Sequence, residues 1–419
     1  MYLNTHTYYS LRYGTISPKN LVEQAFQLGI STLVLTDINS TSAYLEFVQL
    51  AKKWGIKPVL GVDFRNGAQQ QFILIAKNNN GLYNINAYLS ELLHSAKRDI
   101  PNKANILPDT YVIYPFENNM RALNDHEYIG IRPSDLNHLK FSEWRFQPNK
   151  LVILKTVSFQ DKKGFNTHRL LRAIDNNTLL SKLPISEQGK EVDIMLPEKE
   201  LKEIYSEFPE IIATTKKILD TCAIEFDFSK DAPKNQTSYT NNEDLDFKLL
   251  RKLAYDGLNY RYQKIGKRVF ERLEKELDTI KQKHFVSYFL INWKILKYAR
   301  SKQYYYVGRG SGANSIVAYL LRITDVDPIE LDLYFERFIN PPDFDLDFSW
   351  RDRDDIMNYI FKTFKNTSLI AVYNTFKYKA SVRELGKVFG LPKEEIDKLT
   401  TNHFNPNQLD NLAKLVLIY

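Results

Sequence analysis

The sequence holds a single cysteine, Cys222, among 419 residues. One thiol excludes an intramolecular disulfide framework and suits a reducing compartment. Long apolar runs are also missing. The longest stretches, such as residues 316–321, fall far short of the roughly 20 residues that a membrane-crossing helix needs. The opening MYLNTHTYYS contains no basic segment followed by an apolar one, so no secretory signal is expected. These absences together predict a cytoplasmic protein with no membrane partner. The remaining composition is ordinary for a globular chain, with 43% hydrophobic and 26% charged residues. A chain of this length is expected to form two or three domains with sizeable cores.

The charge is unevenly placed. Residues 1–250 carry 29 basic and 29 acidic side chains, and the remainder 28 and 21, so the whole net charge of +7 falls in the last 169 residues. A basic half suits a polyanionic partner, most simply nucleic acid, although a solvated lysine-rich surface reads the same way by charge alone.

Periodicity divides the chain further. Ser17-Pro18 opens a helical pattern ending near Gly29, residues 32–35 form an apolar β-rich run, and 43–54 form a second helix closed by Gly55. Residues 58–64 read as the next strand. This alternation implies a parallel sheet with covering helices, whose chemistry sits at the carboxyl ends of strands. Those ends carry His6, Asp37 and Asp63. Residues 66–230 continue as mixed α/β without a detectable repeat, and the polar stretch 229–244 is the linker candidate. Residues 245–300 are helical, with a basic segment at 264–268. A strand at 304–307, a glycine turn at 308–312 and a helix at 315–321 follow. Helices are expected again at 354–364 and 380–389, the second closed by Gly390, with Pro392 opening another.

Three features carry chemistry. In Pro342-Asp343-Phe344-Asp345-Leu346-Asp347-Phe348 the acidic and apolar residues alternate strictly. On a strand this puts the carboxylates on one face, about 7 Å apart, while the apolar residues anchor the other. Such a row repels itself unless cations compensate, and hard oxygen ligands suit Mg²⁺. Carboxylate-held Mg²⁺ ions can activate a 3′-hydroxyl and stabilise a pyrophosphate leaving group. The bland reading is an exposed acidic strand. The second feature, Val307-Gly308-Arg309-Gly310-Ser311-Gly312, is a strand–turn–helix in which glycines permit close approach and free N–H groups could bind phosphate. It has neither the Walker A lysine nor the dinucleotide spacing. The third is a basic stretch over 356–393, seven lysines and arginines against Glu384 alone, interleaved with Tyr373, Phe376 and Tyr378. Lys379, Arg383 and Lys387 recur every four residues on one helix face, with Lys377 nearby, a pattern suited to a phosphate backbone.

On these motifs the chain resembles the alpha subunit of bacterial DNA polymerase III, the replicative family C polymerase. Residues 272–300, 307–348 and 375–392 are similar to its palm entry helices, its GRGS segment with the PDFDLDF strand, and the start of its thumb. The N-terminus resembles the polymerase-and-histidinol-phosphatase (PHP) domain. The resemblance implies an α/β PHP-type (β/α) barrel-like domain at 1–230, a nucleotidyltransferase (polymerase beta-like) α+β palm at 231–365 and a partial helical thumb at 366–419. It implies that Asp345 and Asp347 are catalytic and bind Mg²⁺, two ions in a complete enzyme, with Asp343 more structural. Arg309, Gly310, Ser311, Gly312 and Arg337 would meet the incoming nucleotide. Lys377, Lys379, Arg383 and Lys387 would meet DNA. Template–primer DNA, deoxynucleoside triphosphates, a sliding clamp and a proofreading exonuclease are the implied partners.

Departures from the family pattern shape further expectations. The family's His-x-His is Asn4-Thr5-His6, its aspartate before glycine is Tyr13, its Asp-His is Asp37-Ile38, and its glutamate is Asp63. Neutral asparagine, tyrosine and isoleucine cannot replace imidazole and carboxylate ligands, so a degenerate site with a structural role is expected at Asn4, His6, Asp37 and Asp63. The family's third carboxylate has no match, and the chain ends as if within a thumb element, so the chain alone is expected to be inactive or nearly so. A PHP-type metal phosphoesterase and a non-catalytic DNA-binding remnant remain alternatives.

Overall fold

A computed structural model describes residues 1–95, 99–116, 122–229, 236–334, 343–364, 367–370, 372 and 375–401. The chain divides into two compact units, Met1–Phe228 together with Asn374–Tyr419, and Ser229–Tyr373.

The first unit begins with β1 (Asn4–Thr5), α1 (Pro18–Gln27), β2 (Thr32–Leu35), α2 (Tyr44–Lys53), β3 (Lys57–Asn66), β4 (Gln69–Ala76) and α3 (Asn79–His94). Local chemistry sets these limits. Ser17 caps α1 by accepting from the Asn20 N–H, and Pro18 lies in its first turn, where a missing N–H costs nothing. Gly29 and Gly55 end the two helices at φ +70° and +68°, a region glycine enters without strain. Then come β5 (Thr110–Pro115), β6 (Glu127–Ile131), α4 (Leu136–Leu139), β7 (Leu151–Ile153), β8 (Thr156–Val157), α5 (Lys162–Asp175), α6 (Glu198–Ile204) and α7 (Pro209–Thr221).

Strands β2 to β7 form one sheet in sequence order, with β3–β4 and β4–β5 antiparallel and the other pairs parallel. β1 pairs with β8, and Tyr2 bridges to Leu33 of β2. The stretch Leu151–Val157 therefore pairs with β6 at one end and β1 at the other, curling the sheet in a barrel-like manner. β2 is apolar because helices cover it, as parallel strands require. The expected α/β class and the helix–strand alternation are both present. β3 runs longer than the expected 58–64 and includes Arg65, which matters below.

The second unit contains α8 (Glu243–Arg261), α9 (Lys267–Gln282), α10 (Val286–Ser301), β9 (Tyr306–Arg309), α11 (Ile316–Leu320), β10 (Asp345–Phe348) and α12 (Arg353–Thr363). The helical region foreseen at 245–300 is three helices, whose apolar faces meet around Leu250, Leu273, Phe289 and Val317. β9 lies two residues later than the expected 304–307. Gly308 and Arg309 belong to the strand, and the turn begins at Gly310.

The chain then returns to the first unit as α13 (Tyr378–Phe389) and α14 (Lys393–Thr400). Gly390, at φ +81°, ends α13 as expected. Val388 of α13 packs with Leu170 and Ala173 of α5 and with Leu183 beyond it.

Candidate functional site

β9 and β10 form an antiparallel two-stranded ribbon with Asp345 opposite Arg309 and Asp347 opposite Val307. The alternation seen in the sequence governs it. Asp343, Asp345 and Asp347 are exposed, while Phe344, Leu346 and Phe348 are half-buried against the helical core. Phe344 meets Phe289 edge-on, ring centres 5.1 Å apart. A rigid apolar backing thus presents two carboxylates, Asp345 and Asp347, to solvent. Arg309 reaches diagonally to Asp347 with a two-toothed contact, Nε to Oδ2 2.6 Å and Nη2 to Oδ1 3.1 Å. That hydrogen bonding draws the Asp347 carboxyl below its ordinary pKa and raises the Arg309 guanidinium.

The glycine turn is built for close approach. A Cβ on Gly308 would lie 1.9 Å from the Ile323 carbonyl oxygen. One on Gly310, at φ +97°, would lie 2.4 Å from the Asp343 oxygen. The turn's N–H groups are not free, in contrast to the sequence expectation. Ser311 N–H donates to Asp343 Oδ1 at 2.9 Å, and Gly312 N–H donates to the Asp343 carbonyl at 3.1 Å. The Ser311 hydroxyl bonds the same carboxylate oxygen. The Asp343 carboxylate and carbonyl therefore already occupy the turn's donors. Arg337 lies outside the described residues.

Sequence reading missed Glu276. It is fully buried on α9 and accepts from Ser315 Oγ at 2.6 Å and Arg272 Nε at 2.7 Å. Burial raises its pKa against those hydrogen bonds. It thus holds the start of α11, directly after the glycine turn. The neighbouring residues of α9 gave no sign of this, because Glu276 reads as one more acid in RLEKELD.

In the first unit, Lys379, Arg383 and Lys387 lie exposed on α13 with Lys377 just before it, while Val382 and Val388 face inward. Lys387 pairs with Glu384 at 2.7 Å, so the stripe is partly self-neutralised.

The four residues expected to mark a degenerate site are all buried. Asn4 accepts from Thr36 Oγ1 and donates to Thr156 Oγ1. Asp37 accepts from the Thr7 N–H, the Thr7 hydroxyl and the Ser10 hydroxyl at 2.6–2.7 Å. Burial raises its pKa nonetheless. His6 stands between Ser158 Oγ at 2.8 Å and Asp63 Oδ2 at 3.0 Å. Tyr13 packs edge-on to His168, whose Nδ1–H donates to the Tyr13 carbonyl at 2.7 Å while Nε2 accepts from the Gly189 N–H at 2.8 Å. Arg65, unforeseen, closes the group. Its Nε and Nη2 lie 2.9 and 2.7 Å from Asp63 Oδ2. Asp63-x-Arg65 is a period-two pair on β3, a signal visible in the sequence had the strand been read two residues longer.

The comparisons with known proteins bear on both units. Residues 3–127 match the PHP domain, and residues 248–415 match the bacterial DNA polymerase III alpha NTPase domain. The DNA polymerase III subunit alpha of Bacillus subtilis is 30% identical over 444 aligned residues, covering 95% of this chain and 39% of the relative. Along nearly its whole length the chain is similar to this bacterial DNA polymerase III alpha subunit. The Escherichia coli K12 subunit of the same name is 27% identical across 96% of this chain and 39% of its own length. An error-prone DNA polymerase of Symbiobacterium thermophilum is also 27% identical, across 95% of this chain and 42% of its own. The chain thus spans about two fifths of the length of these polymerase III alpha relatives. Among the described residues, no helix is long and apolar enough to cross a membrane.

Proposed function

We propose that this polypeptide supplies the PHP-like, palm and initial thumb portions of a DNA polymerase that extends a primer 3′ end with deoxynucleoside triphosphates. The observation that carries the reading is the β9–β10 ribbon, where Asp345 and Asp347 stand exposed on one face beside Gly310 and Ser311. The donor set suits a divalent cation. Both side chains are solvent-accessible carboxylates, and the single guanidinium on Asp347 is itself exposed and able to swing away. Asp345 and Asp347 would hold Mg²⁺, which when bound polarises phosphoryl oxygens and lowers the pKa of a bound hydroxyl.

The other roles fall to the chain's own groups. Arg309, released from Asp347, offers a fork-shaped donor to a triphosphate. Ser311 offers its N–H and hydroxyl to the same anion once the Asp343 carboxylate turns aside. The Gly310 conformation keeps the turn close enough to the strand for nucleotide and carboxylates to share one site. Lys377, Lys379, Arg383 and Lys387 would contact the phosphates of template–primer DNA without reading sequence.

Because the chain spans two fifths of its relatives, binding is the first readout. Mg²⁺ is expected to strengthen binding of a fluorescent deoxynucleoside triphosphate to the wild-type chain. Asp345→Asn and Asp347→Asn should each abolish that dependence while leaving the fold intact by circular dichroism. In a polypeptide of the relatives' full length, each should cut primer extension by on the order of a thousandfold. Primer extension by Asp347→Asn at the wild-type rate would sink the assignment.

A further inference from the structure

The PHP match implies a metal centre at the carboxyl ends of β1, β2 and β3, and the residues present there do not fit one. A divalent ion in such a centre needs three or more imidazole or carboxylate donors. Here both His6 nitrogens are engaged, and both Asp37 oxygens accept hydrogen bonds. Asp63 Oδ1 is the one buried oxygen of the set that accepts nothing. Among the described residues, no group of three His, Cys, Asp or Glu side chains is arranged to hold a metal ion.

What stands there instead is a guanidinium. Asp63 and Arg65 share a face of β3, being two residues apart. A bulge between Phe64 and Arg65 shifts the register so that Arg65 faces Gln70 on β4. Bulges of this kind re-aim side chains. Gln70 Nε2 then donates to Asp63 Oδ2 at 2.9 Å, and its Oε1 accepts from Arg132 at 2.7 Å. The Arg65 backbone is pinned on both sides by Asn39, whose Oδ1 accepts from the Arg65 N–H while its Nδ2 donates to the Arg65 carbonyl. The guanidinium carbon lies 4.9 Å from the centre of the Tyr13 ring, the residue at the place of a family ligand. Arg65 is 6% exposed and Asp63 fully buried.

A metal ion in such a centre would do three things. It would neutralise a buried carboxylate, fix the neighbouring imidazole and tie the strand ends to the loops around them. Arg65 neutralises Asp63, which in turn orients His6 on β1's trailing residue, and it links β3 to the Tyr13 loop. We infer that Arg65 is a resident, covalently attached substitute for the divalent ion of a PHP centre, which makes the barrel of this chain independent of metal. The inference does not depend on the polymerase reading and survives its failure.

The test uses the full chain and hydrogen–deuterium exchange, read on peptides covering β1 and β3 so that the second unit does not blur the result. Wild type should show the same protection with and without EDTA, and elemental analysis should find no stoichiometric zinc or manganese. Arg65→Ala should lose protection in these peptides by on the order of a hundredfold, as expected when one partner of a buried pair is removed. Millimolar methylguanidinium should restore much of it, where sodium chloride of equal concentration does not. Should Arg65→Ala fail to fold, the double variant Asp63→Asn with Arg65→Met removes both charges and should fold with better protection than Arg65→Met alone. Loss of protection on adding EDTA to wild type, a stoichiometric metal, or Arg65→Ala as protected as wild type would each overturn the inference. So would a double variant no better than Arg65→Met.

Discussion

Two aspartate–arginine pairs sit at the two sites of this chain, and they differ mainly in water. Asp63 and Arg65 are 0% and 6% exposed, whereas Asp347 and Arg309 are 53% and 60% exposed. Both arginines use Nε and Nη2. The buried pair is surrounded by further donors, and its charges have nowhere else to go. Burial alone would push the Asp63 carboxyl up, but Arg65 and then His6 overcome that and hold it at about 2. The exposed pair is screened by solvent and contributes little to stability. In the function proposed above its value would lie in being exchangeable, since Asp347 and Arg309 could each leave for a ligand of opposite charge. Geometry alone does not separate a lock from a placeholder, and the surrounding dielectric does.

That contrast can be broken most forcefully at the buried pair. Arg65→Met leaves an uncompensated carboxylate in the barrel and should destabilise the first unit by about 3–5 kcal/mol, measured by urea denaturation against wild type. A cost as small as that of a surface substitution would erase the distinction between the pairs. Next in size is Gly308→Ala. With a carbonyl 1.9 Å from the new Cβ, the ribbon must shift. The expectation is a loss of about 1–3 kcal/mol, the range for overpacked sites, seen in the second unit's unfolding and accompanied by weaker nucleotide binding. Unchanged nucleotide affinity would show that the ribbon's spacing is not what forms the site.

A third test uses protons. Burial lowers the His168 pKa from 6.5 to about 4, against the hydrogen bond from its ring to Tyr13. A base whose folded pKa is depressed contributes stability that is present above 6.5 and lost as pH falls toward 4, because the unfolded chain takes up the proton first. The stability gap between wild type and His168→Gln should therefore narrow steadily across that window. A constant gap would mean that His168 takes up its proton over the same pH range in both states. The smallest effect belongs to Arg309→Ala. Thermal stability should be unchanged, while Mg²⁺ binds the freed Asp347 more readily in the absence of nucleotide and the triphosphate binds less tightly. A clear loss of stability would place the exposed pair in the same class as the buried one.

Much of this was visible in the sequence where periodicity is strong. The strand at 32–35, the helix closed by Gly29 and the alternating Asp343–Phe348 run all came from side-chain period and capping residues, which are local signals. β9 was read two residues early because Gly308 resembles a turn residue. Its glycine serves instead to admit the Ile323 backbone, a contact made across 15 residues of chain. The expected phosphate cradle was read correctly as a tight turn, but its donors are taken by Asp343, 32 residues downstream of Ser311. Arg65 escaped notice because the strand was read only to Phe64, one residue short of it. Glu276 and His168 depend on partners distant in sequence, and single-chain pattern carries no information about such meetings.

The seating of α13 on α5 has a consequence in time. Leu170 and Ala173 are synthesised roughly 200 residues before Val388, the side chain that covers them. At about 5–20 residues per second, the apolar side of α5 waits on the order of 10–40 s at the ribosome. Throughout that interval the whole second unit emerges, and the nascent barrel must stay soluble with one patch bare. Slow codons or a holding chaperone acting between these two points would change the yield of this protein without altering a single residue of it.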